Sequence, residues 1–277
     1  MSTIHVLVDH ANTFSRAWFS AMHLINARPW IPLVRYFDMV RTCIGKSRFR
    51  IGDYPVVVYL AGESRTVLRK ARVVEGYKAH RKPEMDPRYR LYRKNLSYIL
   101  QSVGLKVCRS PGYEADDVLA SLAKTLPTSV ILSNDHDLFQ ALEFPGVEVY
   151  TARGFMTRQI FERGYGFEVE RFRYYKALVG DKSDGYPGVY GWGPVKAKKH
   201  IISNDWLEQL DDKEMDIYKT QLALAELETE LEFDEACRFE GFSGAETLDL
   251  SGLRKINKQG VFEVELAVKK LLTSMEG

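Results

Sequence analysis

The stretch LKVCRSPGYEADDVLASLAKTLPTSVILSNDHDL, Leu105 to Leu138, carries two kinds of element in turn. Leu105 to Cys108 and Val130 to Leu132 are short apolar runs that read as strands, and Glu114 to Leu126 between them has helical spacing. A short helix follows Asp137. Working outward, Ile4 to Val8, Val56 to Leu60 and Val147 to Tyr150 repeat the strand pattern, several with the continuous β-branched character of strands buried in parallel sheets. Helical patterns fall at Leu33 to Cys43 and Arg88 to Ser102. Such alternation predicts an α/β fold whose central, mostly parallel sheet is wound by helices. Sheets of this kind bind ligands beyond the carboxyl ends of their strands. Acidic residues stand at those ends: Asp9 after the first strand, Glu63 after the second, Glu114 at the helix after the third and Asp135 after the fourth.

The bulk composition sets wide bounds. With 277 residues, 45% hydrophobic and 27% charged, the chain buries a sizeable core and is neither disordered nor fibrous. Its three cysteines, Cys43, Cys108 and Cys237, are far apart, which excludes a disulfide framework and a cysteine-built zinc site and favours a reducing compartment. No apolar run is long enough for a membrane span, and Asp9 interrupts the N-terminal apolar run before it resembles a signal peptide.

The formal net charge of +2 hides a segregation. Between Arg65 and Arg109 there are thirteen Lys/Arg against three acids, and between Asp205 and Asp249 fifteen acids against three bases. Either region alone reads as readily as a solvated helix face. Tyr77, Tyr89, Tyr92 and Tyr98 within the basic region tip it towards single-stranded nucleic acid, for which cations and aromatic rings together are suited. The acidic segment, read as a helix from Trp206 to Phe239, is expected to cover the core.

Beyond about Phe155 the chain turns helical and glycine-rich. The segment from Gly180 to Lys196 sets five glycines and two prolines between two helical stretches, with Pro194 suited to a first helical turn. Taken alone it is a loop; in a nucleic-acid enzyme its backbone N–H groups suit a phosphate.

The carboxylates give the strongest chemical signal. Glu114, Asp116 and Asp117 occupy one helical turn, Asp135 and Asp137 follow a buried strand, and Asp181 and Asp184 open the glycine segment. One such cluster is explained by helix capping and the helix dipole. Several at one sheet edge crowd like charges, which calls for cations, and all-oxygen donors suit magnesium or manganese rather than zinc. Two such ions with a basic region beside them suggest phosphodiester hydrolysis.

The strings LVDHAN (Leu7 to Asn12), GYKAHR (Gly76 to Arg81), YEADDVLASLAK (Tyr113 to Lys124), SNDHDL (Ser133 to Leu138) and LVGDKSDGYPGVYGWGPVKA (Leu178 to Ala197) resemble the 5'-nuclease superfamily in family order. The likeness is to the 5'-3' exonuclease domain of bacterial DNA polymerase I and to bacteriophage 5'-exonucleases and flap endonucleases, over roughly Ile4 to Ile202. It implies a PIN-like core over 1–155 with a basic helical arch at about 65–94, then a helical region over 156–277 with a helix-hairpin-helix at about 178–202. It implies one Mg2+ or Mn2+ held by Asp9, Glu114 and Asp116 and a second by Asp135, Asp137 and Asp184, with Asp117 and Asp181 around them. Lys78 and Arg81 are implied to meet the scissile phosphate. Lys82, Arg88 and Arg90 of the arch, and Gly188, Gly191, Gly193, Lys196 and Lys198 of the hairpin, are the expected DNA contacts, with K+ at hairpin carbonyls. One departure stands out. Where the family carries a ligand Asp after the second strand, counting back from Lys78 lands on Glu63, whereas counting from the strand end lands nearer Ala61 or Gly62. Glu63 is taken as a longer-reaching replacement; the alternative is a missing ligand.

Three histidines and a tryptophan near these motifs have plainer readings. His136 is expected in a structural or phosphate-side role, His10 and His80 are expected to be coincidental, and Trp192 is expected to pack beneath the hairpin. The resemblance implies a free-standing, monomeric, cytoplasmic enzyme of a bacterium or phage-infected cell. Its substrate would be DNA with a free 5'-end or 5'-flap, with RNA primers as a further strand. Two other readings remain: a ribonuclease on the same acidic-site fold, and a DNA-structure-binding protein with a weakened site.

Overall fold

The computed structural model describes residues 3–46, 56–64, 66, 68–74, 86–103, 105, 107–182, 184–232 and 258–276. Six strands form one sheet: β1 (Ile4–Asp9), β2 (Val56–Ala61), β3 (Val107–Cys108), β4 (Ser129–Leu132), β5 (Val147–Thr151) and β6 (Gly154–Met156), in the spatial order β3-β2-β1-β4-β5-β6. All neighbours run parallel except β5 and β6, which form a tight antiparallel pair with Tyr150 opposite Phe155. The five anticipated strands are present within a residue or two, and β6 was not anticipated. Its three residues are too few to show a period, and the partly buried GFM run gains its strand character only by pairing.

The sheet is buried on both faces. Ile4, Val6 and Val8 of β1, Val58 and Leu60 of β2, and Val130 and Leu132 of β4 enter one core; Leu7, Tyr59, Ile131 and Val149 enter the other. This period-two division fits strands that carry apolar residues at nearly every position. The first core is covered by α1 (His10–Ala21), α2 (Ile31–Lys46), α4 (Pro87–Ser102) and α10 (Lys258–Glu276). Trp30 Nε1 donates to Glu263 at 2.7 Å, and Arg28 pairs with the same carboxylate, which fastens α10 to the start of α2. The second core is covered by α5 (Ala115–Thr125), the 3-10 turn Asp137–Glu143, α6 (Arg158–Tyr165), α7 (Phe172–Val179), α8 (Pro194–Ser203) and α9 (Asp212–Ala225). The short α3 (Arg69–Val73) precedes α4.

Three elements differ from the sequence reading. α1 was not anticipated, because polar His10, Asn12, Thr13 and Ser15 interrupt the eye, yet Phe14, Ala17, Trp18 and Ala21 recur at helical spacing and are buried. The expected acidic helix from Trp206 to Phe239 is shorter: α9 starts at an Asp211 capping box and ends at Ala225, with Glu226 in extended backbone. Residues beyond 232 of that segment lie outside the described residues. Tyr89 and Tyr92 do not face solvent with the basic residues; they pack on Trp18, with Tyr89 also on Phe14. A helix resting on the sheet-covering layer must bury one stripe, and in α4 the aromatic rings are that stripe while Arg88 and Arg90 stay exposed. Tyr98 is exposed and stacks under Lys94 at 5.7 Å.

Candidate active site

In the strand order β3-β2-β1-β4-β5 the chain's direction of winding reverses between β1 and β4, and that crevice is where the acidic residues gather. Asp9 ends β1 and caps α1, its Oδ1 accepting the Asn12 N–H at 3.0 Å and its Oδ2 the Ser133 hydroxyl at 3.0 Å. Burial pushes its pKa up to about 6, with Asp135 adding to the rise against the hydrogen bonds that lower it. Ser133 also accepts the Asp135 N–H, and Asp135 Oδ1 accepts the Asp137 N–H at 3.0 Å, so the turn after β4 is wound by its own side chains. Burial likewise raises Asp137 to about 6, although Lys176 opposes it. Asp116 is held well above the usual carboxylate range by burial and then by Asp135, Asp9 and Glu114. Acids from β1, α5 and the turn after β4 therefore feel one another's charge, which is what the clustering in sequence implied.

Two lysines offset part of this charge. Lys70 of α3, fully buried, lies 3.0 Å from Glu114 Oε2, and the fields of Glu114, Asp117, Asp137 and Asp116 raise its pKa despite its burial. Lys176 of α7 lies 2.7 Å from Asp137 Oδ1 and 2.5 Å from Asp181 Oδ2. Its pKa is raised too, because both carboxylates outweigh burial. Neither lysine was singled out from the sequence. Lys70 sits in a strongly basic run and Lys176 in an ordinary amphipathic helix, so only the fold shows that they point inward.

As the side chains stand, no three His, Cys, Asp or Glu among the described residues converge on one metal-sized point. Glu114, Asp137 and Asp181 are instead drawn onto the ammonium groups. Asp117 is committed to backbone, with Oδ2 accepting Glu114 N–H at 3.1 Å and Oδ1 accepting Glu228 N–H at 2.9 Å. It holds the entry to α5, and its charge is also felt by Lys70. Asp184 is buried close to this group, and Tyr186 beside it has a buried hydroxyl without a hydrogen-bond partner among the described residues, its pKa raised by burial and by Asp137, Asp181, Asp184 and Asp135. Glu63 is exposed in the loop after β2, between Gly62, which donates to Cys108 O, and Ser64, which donates to Tyr113 O next to Glu114.

The glycine segment is a reversal between α7 and α8 with Pro194 in the first turn of α8. Gly180 and Gly188 both have positive φ and lie back to back, so a Cβ on either would strike the other's backbone within 2.5 Å. The Gly188 N–H is taken by Gln221 Oε1 at 3.2 Å, so it is not open to a phosphate as the sequence reading had it. Gly191 (φ +77°) and Gly193 are exposed, as is Lys196, whose ammonium lies 4.1 Å from the Trp192 ring. Lys198 reaches the Gly164 carbonyl at 3.5 Å. Trp192 is buried beneath the turn, in line with the packing expected of it.

His10 is buried against the Tyr36 hydroxyl at 2.9 Å, and burial lowers its pKa to about 3, so it serves the core as a neutral ring. His136 is exposed and stacks on Phe139. Arg88 is bound to Asp86 and to Asn26 Oδ1 at the start of α4. Lys78, His80, Arg81 and Lys82 lie outside the described residues.

A family model described as the 5'-3' exonuclease, N-terminal resolvase-like domain, matches residues 4–166. A 5'-3' exonuclease of Mycoplasma genitalium is 26% identical over 308 residues, covering 98% of this chain and 97% of that protein. A thermostable DNA polymerase I of Thermus filiformis is 36% identical over 234 residues, 82% of this chain but 27% of the polymerase. The chain thus spans about a quarter of the length of that polymerase. The structure of the bacteriophage T5 5'-exonuclease with bound zinc has the same fold, with a TM-score of 0.63 at 17% identity over 99% of this chain and 100% of that one. With the family model covering more than half of its length, the chain belongs to the 5'-3' exonuclease family of the 5'-nuclease superfamily.

Proposed function

We propose that the chain is a divalent-metal-dependent 5'-3' exonuclease and flap endonuclease that hydrolyses DNA phosphodiesters and leaves 5'-phosphates. The observation that carries this reading is the set of mutually repelling buried carboxylates at the β1/β4 crevice, offset in part by two buried lysines, in a chain of this family. Oxygen donors alone, at raised pKa, fit a hard cation such as Mg2+ or Mn2+. Asp9, Glu114 and Asp116 would hold one ion and Asp135, Asp137 and Asp184 a second, with Asp181 and Glu63 at the edges. Bound there, two such ions supply an activated water and charge stabilisation at the leaving oxygen.

The chain's own groups do the rest. Asp117 fixes Glu114 through its backbone, and Ser133 fixes Asp9. Lys70 and Lys176 lower the repulsion that a phosphodiester meets on entering an acidic crevice. Lys78 and Arg81, by resemblance, stabilise the scissile phosphate as charge grows on it. Gly191, Gly193, Lys196 and Lys198, with K+ at hairpin carbonyls, suit a sequence-independent grip on duplex backbone, and Lys82, Arg88 and Arg90 suit the 5'-strand. The reading extends to a monomer acting in DNA replication, repair or recombination in the cytoplasm, on RNA primers as well as DNA. Among the described residues no helix is long and apolar enough to cross a membrane.

The test is a labelled duplex with a 5'-flap, incubated with and without Mg2+. Magnesium-dependent release of 5'-phosphate products is expected, with Asp116→Ala or Asp135→Ala abolishing cleavage while duplex binding persists. Either variant turning over at the normal rate in saturating Mg2+ would remove the two-ion assignment. A closed circular single strand is expected to survive while its linear form is degraded; rapid cutting of the circle would point to a general endonuclease.

A further inference from the structure

After α9 the chain stays against the body of the protein. From Glu226, in extended backbone, it runs on to Glu232 outside any helix or strand and lies along α5. The stretch reads ELETELE and alternates with a period of two: Leu227 and Leu231 pack on the second core, while Glu226 and Glu230 reach Arg173 and Lys124. At its start, buried Gln140 donates through Nε2 to Ala225 O at 2.9 Å, and Arg173 Nη1 donates to Glu226 Oε1 at 2.8 Å. Further along, the Ser121 hydroxyl of α5 donates to Glu228 O at 3.2 Å and accepts the Leu231 N–H at 3.3 Å.

One bond of this strap leads to the crevice. The Glu228 N–H donates to Asp117 Oδ1 at 2.9 Å, and Asp117 Oδ2 accepts the Glu114 N–H at 3.1 Å. A single, fully buried carboxylate therefore joins the backbone of the strap to the backbone of Glu114, and bonds from N–H groups to an ionised acceptor are among the stronger ones. Glu114 needs such a hold. It stands at the start of α5, where the helix supplies no partners for its first N–H groups, and its field joins those of Asp135 and Asp9 in disfavouring the Asp116 carboxylate. That repulsion pushes the first turn of α5 outward. Moving Glu114 and Asp117 outward breaks their bonds to a segment whose leucines are packed in the core, so the strap resists the push. Lys70 holds the carboxylate end of the same residue, at 3.0 Å from Oε2.

We propose that Glu226–Glu232 is a positioning strap for Glu114, acting through Asp117, and that it keeps the first turn of α5 in place for a divalent cation. The proposal rests on the nuclease reading for what Glu114 does, but not for how Glu114 is held.

The experiment compares wild type, Glu228→Pro, Glu228→Ala, Ser121→Ala, Asp117→Asn and the double variant Asp117→Asn/Glu228→Pro. Leu272→Ala, in the other core on α10, is the control for general loss of stability. In the first arm, amide hydrogen exchange is followed in EDTA. Glu228→Pro, which lacks the donor, is expected to lose protection at the Glu114 N–H, whereas Glu228→Ala keeps it. In the second arm, Mn2+ binding is measured by electron paramagnetic resonance without DNA. Glu228→Pro is expected to weaken it about tenfold, as loss of a group that orients a metal ligand does, with Ser121→Ala in the same direction and Leu272→Ala at the wild-type value. The double variant should bind no more weakly than Asp117→Asn, because a strap acting through Asp117 adds nothing once Asp117 is altered. In the third arm, cleavage of a flap duplex should show kcat reduced at low Mg2+ and recovered at saturating Mg2+, with KM for the duplex unchanged. Ser121→Ala removes two strap bonds and no backbone N–H, and it carries the same test if the proline variant does not fold. Unchanged exchange at Glu114, a loss of Mn2+ affinity shared by Leu272→Ala, or full additivity in the double variant would each overturn the strap. A wild type that binds Mn2+ yet cuts no duplex overturns the nuclease reading instead, and the exchange and Mn2+ arms still decide the strap.

Discussion

Lys70→Met removes the ammonium group that lies 3.0 Å from Glu114 Oε2 and keeps the length of the side chain. Both partners are almost completely buried, at 1% and 3% exposure, so water cannot take the place of the lost charge. Removing one member of a buried ion pair costs about 3–5 kcal/mol, because the remaining charge is stranded rather than because the pair was worth that much. Here Glu114 would be stranded beside Asp116, whose own carboxyl is already disfavoured by Glu114. With unfolding entropy near 2.1 cal/mol/K per residue, a chain of 277 residues loses about 5–9 °C of melting temperature for that cost. The assay is urea and thermal unfolding at pH 7, in EDTA and in excess Mg2+. In EDTA the full loss is expected; in Mg2+ part of it returns, since a cation binding the folded carboxylates stabilises by mass action. The double variant Lys70→Met/Glu114→Gln should regain most of the stability, as neither charge is then left alone. A loss below about 1 kcal/mol in EDTA, or a double variant no better than the single one, would refute the idea that Lys70 balances the acidic crevice.

Asp9→Asn tests the same crevice from the other side. The folded pKa of Asp9, about 6, lies above its ordinary 3.8, so ionisation opposes folding: the cost is absent at low pH, grows as pH rises from 3.8 to about 6, and is complete above that. At pH 7 in EDTA the variant should therefore gain up to about 3 kcal/mol at 1.36 kcal/mol per pKa unit, with little gain near pH 3, while nuclease activity is lost. A gain that does not depend on pH would show that Asp9 is not strained by its charge. Tyr186→Phe removes a buried hydroxyl that has no hydrogen-bond partner among the described residues, and should raise the metal-free melting temperature by the equivalent of about 1 kcal/mol; a lower melting temperature would mean that the hydroxyl is satisfied. Gly191→Val places a branched side chain where φ is +77° and no atom lies within 4 Å, so the strain falls on the hairpin alone. Duplex affinity should drop while the Mg2+ midpoint of cleavage stays, and an unchanged dissociation constant would locate the duplex grip elsewhere.

The sheet was legible because its strands are short runs of β-branched and apolar residues with both faces buried, a pattern that survives without knowledge of neighbours. Ile4–Asp9, Val56–Ala61 and Ser129–Leu132 all fall where such runs end in an acid or a turn. The carboxylates were legible for the same reason, since Asp9, Glu114 and Asp135 mark the carboxyl ends of strands or the helix starts that follow them. α1 was missed because its apolar stripe is one side of an otherwise polar helix, and α9 was overextended because acidic composition says nothing about where a cap and an extended Glu226 stop a helix.

Local sequence thus determined the element types, the α/β class and the acids at the strand ends, since these depend on periodicity and on residue chemistry a few positions apart. Tertiary structure alone decided the balance of charge. Lys70 and Lys176 are 106 positions apart, yet their ammonium groups meet carboxylates from α5, the turn after β4 and the glycine segment. The same holds for Tyr89 and Tyr92, which read as partners of a nucleic acid and are packing residues on Trp18. It holds again for Arg16 and Arg35, which lie on different helices and share one cavity only because both helices cover the same face of the sheet. Which side of a helix meets the sheet is set by burial summed over the whole fold, and no window of sequence contains that sum.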